Sequence, residues 1–155
     1  MNLKDSSLLR TQAYIDGEWV GADTGATATV VNPATQTPLG TVPNMTATET
    51  RRAIAAAKAA FPAWAARTAQ DRSVILRRWF NLMLEHREDL ATIMTAEQGK
   101  PLAESRGEIG YAASFIEWFA EEGKRLYGDV IPGHQADKRI LVLRQPTQTW
   151  FSGEA

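Results

Sequence analysis

The amino-acid sequence predicts an α+β fold in which N-terminal β-hairpins are followed by a helical cluster and a C-terminal strand. An Asp-Gly pair between apolar positions, at Asp16-Gly17, is the strongest short-range signal for a hairpin. From residue 46 onward, apolar residues recur at intervals typical of amphipathic helices. The apolar run 140–143, closed by Pro146, indicates a strand. We therefore divide the chain into 1–43 (strands and turns), 44–128 (helices), 129–146 (a strand region) and 147–155 (a tail).

Two strand pairs are predicted before residue 43. The first spans residues 13–20 and turns at Asp16-Gly17. The second joins residues 28–31 to 39–42 through a segment rich in turn-forming residues. We expect these strands to form a small structure at the edge of the fold and not a core sheet.

Two helices are predicted next, each with a recognisable first turn. Thr46 and Glu49 match a capping box, so the first helix begins there and is expected to end at Pro62. Thr68 and Asp71 mark the start of the second helix. That helix carries two apolar stripes and is therefore expected to be covered on two sides. The stripes are Ile75, Trp79, Leu82 and Leu76, Phe80, Met83.

A corner between two further helices is predicted at residues 97–104, after a bend near residues 86–89. Gly99 can adopt the left-handed conformation that ends a helix, and Pro101 suits the first turn of the next one. In the helix after the corner, Tyr111, Phe115 and Trp118 form an aromatic stripe. Packing in the core is favoured for this stripe over the lining of a ligand channel.

The C-terminal strand has no evident partner in the sequence. Residues 127–133 are read as the end of the helical part, and the tail 147–155 shows neither strand alternation nor helical period. A strand without a partner would leave its backbone hydrogen-bonding groups open.

Composition excludes several classes of function. With 155 residues, 44% hydrophobic and 23% charged, the chain has enough apolar material for a globular core. A net charge of -1 argues against a nucleic-acid or anionic-membrane partner. The charged N-terminus and the lack of a long apolar run predict a cytoplasmic protein without a membrane span. The chain has no cysteine, which excludes disulfides, thiolate metal sites and a thiolate nucleophile.

Three catalytic interpretations of the polar residues are disfavoured. Gly99-Lys100 lacks the earlier glycine and the following Ser or Thr of a phosphate-binding loop. His86 and His134 are far apart in sequence, without the spacing of a metal site or a catalytic triad. The carboxylates that could act as an acid–base pair are better explained by the helix dipole. They are Glu97, Glu104 and Glu108.

Several segments match motifs of one enzyme family. They are 14–19 (Tyr-Ile-Asp-Gly-Glu-Trp), 31–35 (Val-Asn-Pro-Ala-Thr), 39–43 (Leu-Gly-Thr-Val-Pro), 97–104 (Glu-Gln-Gly-Lys-Pro-Leu-Ala-Glu), and 115–122 running on to 129. The chain resembles the N-terminal part of the aldehyde dehydrogenases. The last block, together with residues 142–146, is most similar to the succinate-semialdehyde branch.

This resemblance implies a partial piece of the α/β aldehyde dehydrogenase fold. Residues 44–128 would be the helical part of an incomplete dinucleotide-binding domain, residues 129–146 the strand region of an assembly domain, and residues 147–155 a tail outside the family pattern. In the family, a cysteine thiolate attacks the aldehyde, hydride passes to NAD or NADP, and a glutamate activates the hydrolytic water. Full-length members act on small aldehydes and form homodimers and homotetramers.

The resemblance also implies what this chain lacks. The family's nucleophile, general base and cofactor-binding strands lie beyond the matched segments, so we expect no catalytic residue, no cofactor-binding residue and no NAD(P) binding in this chain alone. We therefore expect a leading segment of an NAD(P)-dependent succinate-semialdehyde dehydrogenase, cut off near residue 146. The alternative is a free-standing helical module that binds another protein without catalysis.

Two minor sites are implied by the same resemblance. Some family members hold a monovalent cation with main-chain oxygens and a carboxylate, which here would be Val30 or Val31 with Glu108. The helix after the corner borders the aldehyde tunnel in the family. Tyr111 and Phe115 are therefore the candidate wall residues.

Overall fold

The structure, a computed structural model, describes residues 1–146 and contains four long helices and six short strands in that range. The helices are α1 (Ala47–Ala65), α2 (Ala69–Glu85), α3 (Arg87–Gln98) and α4 (Leu102–Glu122). The strands are β1 (Ala13–Ile15), β2 (Glu18–Val20), β3 (Thr27–Val31), β4 (Pro38–Pro43), β5 (Asp129–Pro132) and β6 (Arg139–Val142). This order confirms the α+β prediction. The tail, residues 147–155, lies outside the described residues.

The N-terminal strands form two separate antiparallel ribbons, β1–β2 and β3–β4. Asp16 (φ 52°) and Gly17 (φ 86°) both have positive φ, as the predicted two-residue hairpin turn requires. Tyr14 lies opposite Trp19, with ring centroids 5.2 Å apart. In the second ribbon, the Asn32 side chain accepts a hydrogen bond from the Ala34 N–H at 2.9 Å and fixes the turn.

Helix α1 begins where predicted but continues past its proline. The Glu49 carboxylate accepts the Thr46 N–H at 2.9 Å, which completes the capping box. The prediction that Pro62 ends the helix is wrong, since α1 runs to Ala65. A proline lacks one donor, but its carbonyl still accepts the Ala66 N–H at 3.0 Å, so a last turn can form.

The boundaries of α2 and α3 agree with the sequence. The Thr68 hydroxyl accepts the Asp71 N–H at 3.1 Å at the start of α2. Helices α2 and α3 meet at His86, which confirms the predicted bend. Gly99 ends α3 in the left-handed conformation (φ 75°), and its N–H donates to the Thr95 carbonyl at 2.9 Å. Pro101 caps α4, which begins one residue later.

The core lies where α4 packs against α2 and α3. Most of its buried side chains are small, which allows the helices to approach closely. Its buried side chains are Ala91, Ile109, Ala113, Ala120, Ser73 and Ser105. The hydroxyls of Thr95 and Ser105 lie 2.8 Å apart, so the polar groups at the α3–α4 contact are paired.

The C-terminal strand has a partner, which corrects the sequence prediction. Strand β6 pairs antiparallel with β5, with Ile131 opposite Ile140. The sequence assigned residues 127–133 to the end of the helical part because Pro132 and Gly133 resemble a helix stop. In the structure these two residues close a strand and begin the loop to β6.

Candidate functional site: the exposed face of the last helix

Helix α4 buries one face and exposes an aromatic one. Ile109 and Ala113 face the core, whereas Tyr111 (67% exposed), Phe115 (47%) and Trp118 (62%) face outward. Tyr111 and Phe115 meet edge to face, with centroids 4.8 Å apart. The prediction that this stripe packs in the core is therefore wrong within residues 1–146. Helical spacing identifies an apolar face, but it does not say which other part of a fold covers that face.

The exposed aromatic face continues into an open groove along the second half of α4. Phe115, Trp118 and Phe119 form its apolar wall, and Glu117, Glu121 and Arg125 form its charged margin. We call this feature the α4 groove. Its mixture of aromatic area and rim charges resembles a contact surface more than an enclosed small-molecule pocket.

One arginine of α2 holds the charged margin of the α4 groove in place. The Arg77 guanidinium donates to Glu117 at 2.6 Å and to Glu121 at 2.5 Å. The bond to Glu117, and to a smaller extent the bond to Glu121, raises the pKa of Arg77. In turn, the bond from Arg77 lowers the pKa of the Glu121 carboxyl. No local sequence pattern indicates this bridge between helices.

The second exposed apolar surface lies on α2. Ile75 (41% exposed), Trp79 (55%) and Leu82 (42%) face outward, whereas the other predicted stripe of α2 is half-buried against the cluster. Within residues 1–146, α2 is therefore covered on one side, and the prediction of two covered sides is wrong for this part of the chain.

The β5–β6 ribbon is apolar and exposed on both faces. Val130 and Leu141, opposite each other on one face, are 77% and 65% exposed, and Ile131 and Ile140 on the other face are 43% and 39% exposed. A two-stranded ribbon has two open edges, and apolar side chains in such a ribbon are normally covered by another element.

The three carboxylates considered from the sequence lie in different surroundings. Glu97 lines a small cavity between β3–β4 and the N-terminal segment. Glu104 is exposed in the first turn of α4, where its charge complements the helix dipole. The Glu108 carboxylate accepts a hydrogen bond from the Lys100 ammonium. The helix dipole thus explains the position of Glu104, and the ion pair with Lys100 explains that of Glu108. Neither residue needs a catalytic role.

The implied cation site combines suitable donors with a competing charge. Main-chain oxygens of Val30 or Val31 and a carboxylate are the ligand types that a hard monovalent cation takes. In the structure the Glu108 carboxylate pairs with the Lys100 ammonium, so a protein cation already neutralises it. The assignment of Val30, Val31 and Glu108 to a cation stays a prediction. No group of three His, Cys, Asp or Glu residues suited to a metal occurs among the described residues.

The described sheets do not fit a dinucleotide. All three sheets within residues 1–146 are two-stranded and antiparallel. Dinucleotide sites form at the carboxyl ends of parallel strands, next to a glycine-rich turn. The absence of cofactor-binding residues from this chain stays a prediction, in keeping with this geometry. No helix in the described range is long and apolar enough to cross a bilayer.

The long-range bonds of two carboxylates are not indicated by the sequence. Asp89 is buried (5% exposed) and accepts backbone N–H groups from Lys4 and Asp5, each at 2.9 Å. Glu49 was found as a capping residue, but its second bond, from the Asp23 N–H at 2.9 Å, was not. Both carboxylates occupy the third position of a helix, and this local pattern does not reveal the distant partner.

Comparison with known proteins gives consistent matches over nearly the whole chain. The model of the aldehyde dehydrogenase family matches residues 19–151. A glutarate-semialdehyde dehydrogenase of Pseudomonas putida is 66% identical over 146 residues, covering 94% of this chain and 30% of the relative. An NADP(+) succinate-semialdehyde dehydrogenase of Escherichia coli is 65% identical with the same coverage.

A solved structure described as an NADP-dependent enzyme of Escherichia coli matches the fold closely. The TM-score is 0.92 at 65% identity, over 94% of this chain and 30% of the solved chain. The chain therefore spans about 30% of the length of these relatives. The matched part corresponds to the N-terminal third of the relatives, as the sequence motifs indicated.

Proposed function

Because the chain belongs to the aldehyde dehydrogenase family, we propose that it forms the N-terminal scaffold of an NAD(P)-dependent enzyme that oxidises a semialdehyde to a dicarboxylate. The observation that carries this proposal is the match of 94% of the chain, at 65% identity, to 30% of an NADP-dependent relative. The match takes in the strands, the corner and the last helix. A scaffold of this kind positions chemistry that other segments supply.

The exposed apolar surfaces support a scaffold role. The aromatic face of α4, the outer stripe of α2 and the β5–β6 ribbon together expose large side chains that a globular fold normally covers. In the proposed enzyme, the remaining two thirds of the subunit cover the helical surfaces. The ribbon, which is open at its edges, contributes to the assembly of homodimers and homotetramers.

The reaction proposed for the whole enzyme follows the family chemistry. In the whole enzyme a cysteine thiolate would be the nucleophile, NAD(P) would supply the hydride acceptor, and a glutamate would activate the water that releases the acid. The absence of cysteine from this chain and the antiparallel pairing of its described sheets support the proposal that other segments supply the nucleophile and the nucleotide site. We propose that the chain alone does not oxidise aldehydes. Tyr111 and Phe115 serve in the proposed enzyme as part of the wall of the aldehyde tunnel.

The substrate class is proposed from the relatives. Two of them, at 66% and 65% identity, are a glutarate-semialdehyde and a succinate-semialdehyde dehydrogenase. Both semialdehydes carry a carboxylate at the end opposite the aldehyde. A semialdehyde of a short dicarboxylic acid is therefore the proposed substrate, with NADP as the first cofactor to test.

A chimera tests the scaffold proposal directly. Residues 1–146 would replace the matching N-terminal segment of the Escherichia coli NADP-dependent relative, and NADP reduction would be followed with succinate and glutarate semialdehydes. We expect activity within about tenfold of the parent, because the substituted segment holds none of the reacting groups. A chimera that folds and assembles but shows no turnover would contradict the proposal.

The chain by itself is the matched control for this experiment. We expect no NADP reduction above the rate without protein. Turnover by the purified chain would contradict its assignment as a non-catalytic scaffold. The free-standing interaction module makes the opposite structural prediction, a monodisperse monomer that binds little hydrophobic dye, because a complete module covers its own core. The scaffold predicts dye binding and self-association through the exposed faces.

A further inference from the structure

Two buried carboxylates connect the first 43 residues to the helices. Among the described residues, the charged side chains that are buried are Glu49 (1% exposed) and Asp89 (5% exposed). Each stands at the third position of its helix, Glu49 in α1 and Asp89 in α3. A buried charge is costly unless hydrogen bonds compensate it, so the partners of these two groups matter.

Asp89 binds the N-terminal segment with both of its oxygens. Oδ1 accepts the Lys4 N–H and Oδ2 accepts the Asp5 N–H, each at 2.9 Å. The Asp5 side chain then accepts the Ser7 N–H at 2.9 Å and starts the short 3-10 turn Ser6–Leu8. The charged and titratable groups around Asp89 are Lys4 and Asp5 on this segment and Glu85, His86 and Glu88 at the α2–α3 junction.

Glu49 binds the loop between the two N-terminal ribbons. Oε1 accepts the Asp23 N–H at 2.9 Å, while Oε2 accepts the Thr46 N–H at 2.9 Å and the Thr46 hydroxyl at 2.5 Å. The Asp23 carboxylate receives both terminal nitrogens of Arg52, at 3.1 and 2.9 Å. Asp23 and Arg52 are the charged groups next to Glu49, and they reinforce the same contact between loop and helix.

The apolar side chains of this region are at most half-buried. No residue within 1–43 is buried, whereas the buried apolar side chains belong to α3 and α4. Asp71 provides an internal comparison, because it occupies the same third position in α2 but is exposed and bonds with its own cap, Thr68. All three carboxylates thus occupy the same position in their helices. Of the three, Glu49 and Asp89 also bond to the N-terminal region, and Asp71 does not.

We infer that Glu49 and Asp89 act as two latches that hold residues 1–43 on the helical cluster, and that this region opens as a separate unit when the latches are removed. The helices α2 to α4 keep their packing, because their core does not include the N-terminal region. Opening of one part of a protein below the free energy of global unfolding is typical of regions with few buried apolar contacts.

The pKa values agree with this arrangement. Hydrogen bonds from Thr46, followed by that from Asp23, lower the pKa of Glu49 to about 2, and the N–H groups of Lys4 and Asp5 lower the pKa of Asp89. A lowered pKa means that the folded protein favours the charged carboxylate. The latches are therefore closed at neutral pH, and their contribution is lost as the pH falls through the folded-state pKa.

Hydrogen exchange measured by NMR on the full chain at pH 7 tests the proposal. In Asp89→Asn we expect the Lys4 and Asp5 amides to exchange at least about tenfold faster, since bonds to a charged acceptor are lost. In Glu49→Gln the same acceleration is expected at Asp23. The buried helical amides, such as Ile109, should change less than about twofold in both variants. Asp71→Asn is the matched control, and it should leave Lys4, Asp5 and Asp23 unchanged.

A second variant keeps the test decisive if Asp89→Asn does not fold. Lys4→Pro removes one donor to Asp89 without removing the carboxylate charge. We expect faster exchange around residues 5–9, with the core of α4 unaffected. The proposal is overturned if the N-terminal and core amides accelerate together, because the molecule would then open as one unit. It is equally overturned if none of Asp89→Asn, Glu49→Gln and Lys4→Pro accelerates exchange before residue 43.

Discussion

The N-terminal region and the helical cluster are held by different kinds of interaction. In the cluster, Ala91, Ala113 and Ala120 are at most 1% exposed, so helices approach at small side chains and exclude water. Within residues 1–43 no side chain is buried, and hydrogen bonds to Asp89 and Glu49 hold the region on the cluster. Burial of apolar area makes a unit cooperative, whereas a few polar bonds leave a unit able to detach.

Of the substitutions that test this contrast, enlarging a buried alanine of the cluster should lower the free energy of unfolding most. In Ala113→Leu, three added carbons enter a site that is fully buried, and we expect a loss of about 3 kcal/mol in the free energy of unfolding. Urea unfolding followed by circular dichroism measures this loss. Ala112→Leu, at the exposed neighbouring position, and Ala28→Leu in β3 should each change stability by less than about 0.5 kcal/mol. Equal losses in all three variants would remove the distinction between the regions.

Substitution of Gly99 tests a third contact between the two regions. A Cβ at Gly99 would lie 2.7 Å from Pro33 Cγ, and the residue has a φ of 75°. We expect Gly99→Ala to lower stability by about 2 kcal/mol through backbone strain and displacement of the turn at Pro33. The control is Gly107→Ala inside α4, where no atom beyond its neighbours and the local helix backbone lies within 4 Å of the added Cβ. It should raise stability by about 0.5 kcal/mol, because alanine favours helix.

Loss of the α1 cap should have a smaller effect. Thr46→Ala removes the hydroxyl that donates to Glu49 at 2.5 Å and accepts the Thr48 N–H at 3.2 Å. We expect a loss of about 1 kcal/mol, measured by urea unfolding. Thr48→Ala changes an exposed residue two positions later, and it should leave the free energy of unfolding nearly unchanged. If Thr46→Ala leaves the free energy of unfolding unchanged, the capping box does not contribute to holding Glu49.

Acid should loosen the N-terminal region before the cluster. The pKa of Glu49 is lowered from its ordinary value of 4.5 to about 2. The contribution of Glu49 is therefore complete above about pH 4.5 and is lost as the pH falls toward 2. Titration of the Glu49 carboxyl carbon by NMR measures this pKa, and amide exchange at Asp23 reports the opening. A Glu49 titration near 4.5 would contradict the closed latch.

Much of the local structure could be predicted from the sequence. The hairpin at Asp16-Gly17, the cap at Thr46, the bend at His86 and the stop at Gly99 all depend on residues within a few positions of one another. Turn and cap chemistry acts over this range, so the sequence contains the information directly. Pro62 was misjudged because one missing donor does not prevent a last turn.

The candidate site was less accessible to sequence reasoning. The spacing of Tyr111, Phe115 and Trp118 correctly indicates an apolar face, but the core assignment was wrong because this face lies away from α2 and α3. The partner of β6 was missed because Val130 and Ile131 stand next to a Pro-Gly pair that resembles the end of an element. The motifs at residues 31–35 and 97–104 nevertheless identified the family, and the comparisons confirmed it.

By itself, the sequence determined the family, the α+β class and the start and end of most helices, since these depend on short-range chemistry and local motifs. Only the tertiary structure decided that Asp89 binds Lys4 and Asp5, that Glu49 reaches Asp23 and that Arg77 joins Glu117 to Glu121. Such bonds join groups far apart in the chain, and the packing of the helices brings them together. The physical reason is that a carboxylate at a helix start has the same local pattern whether it faces water or another segment.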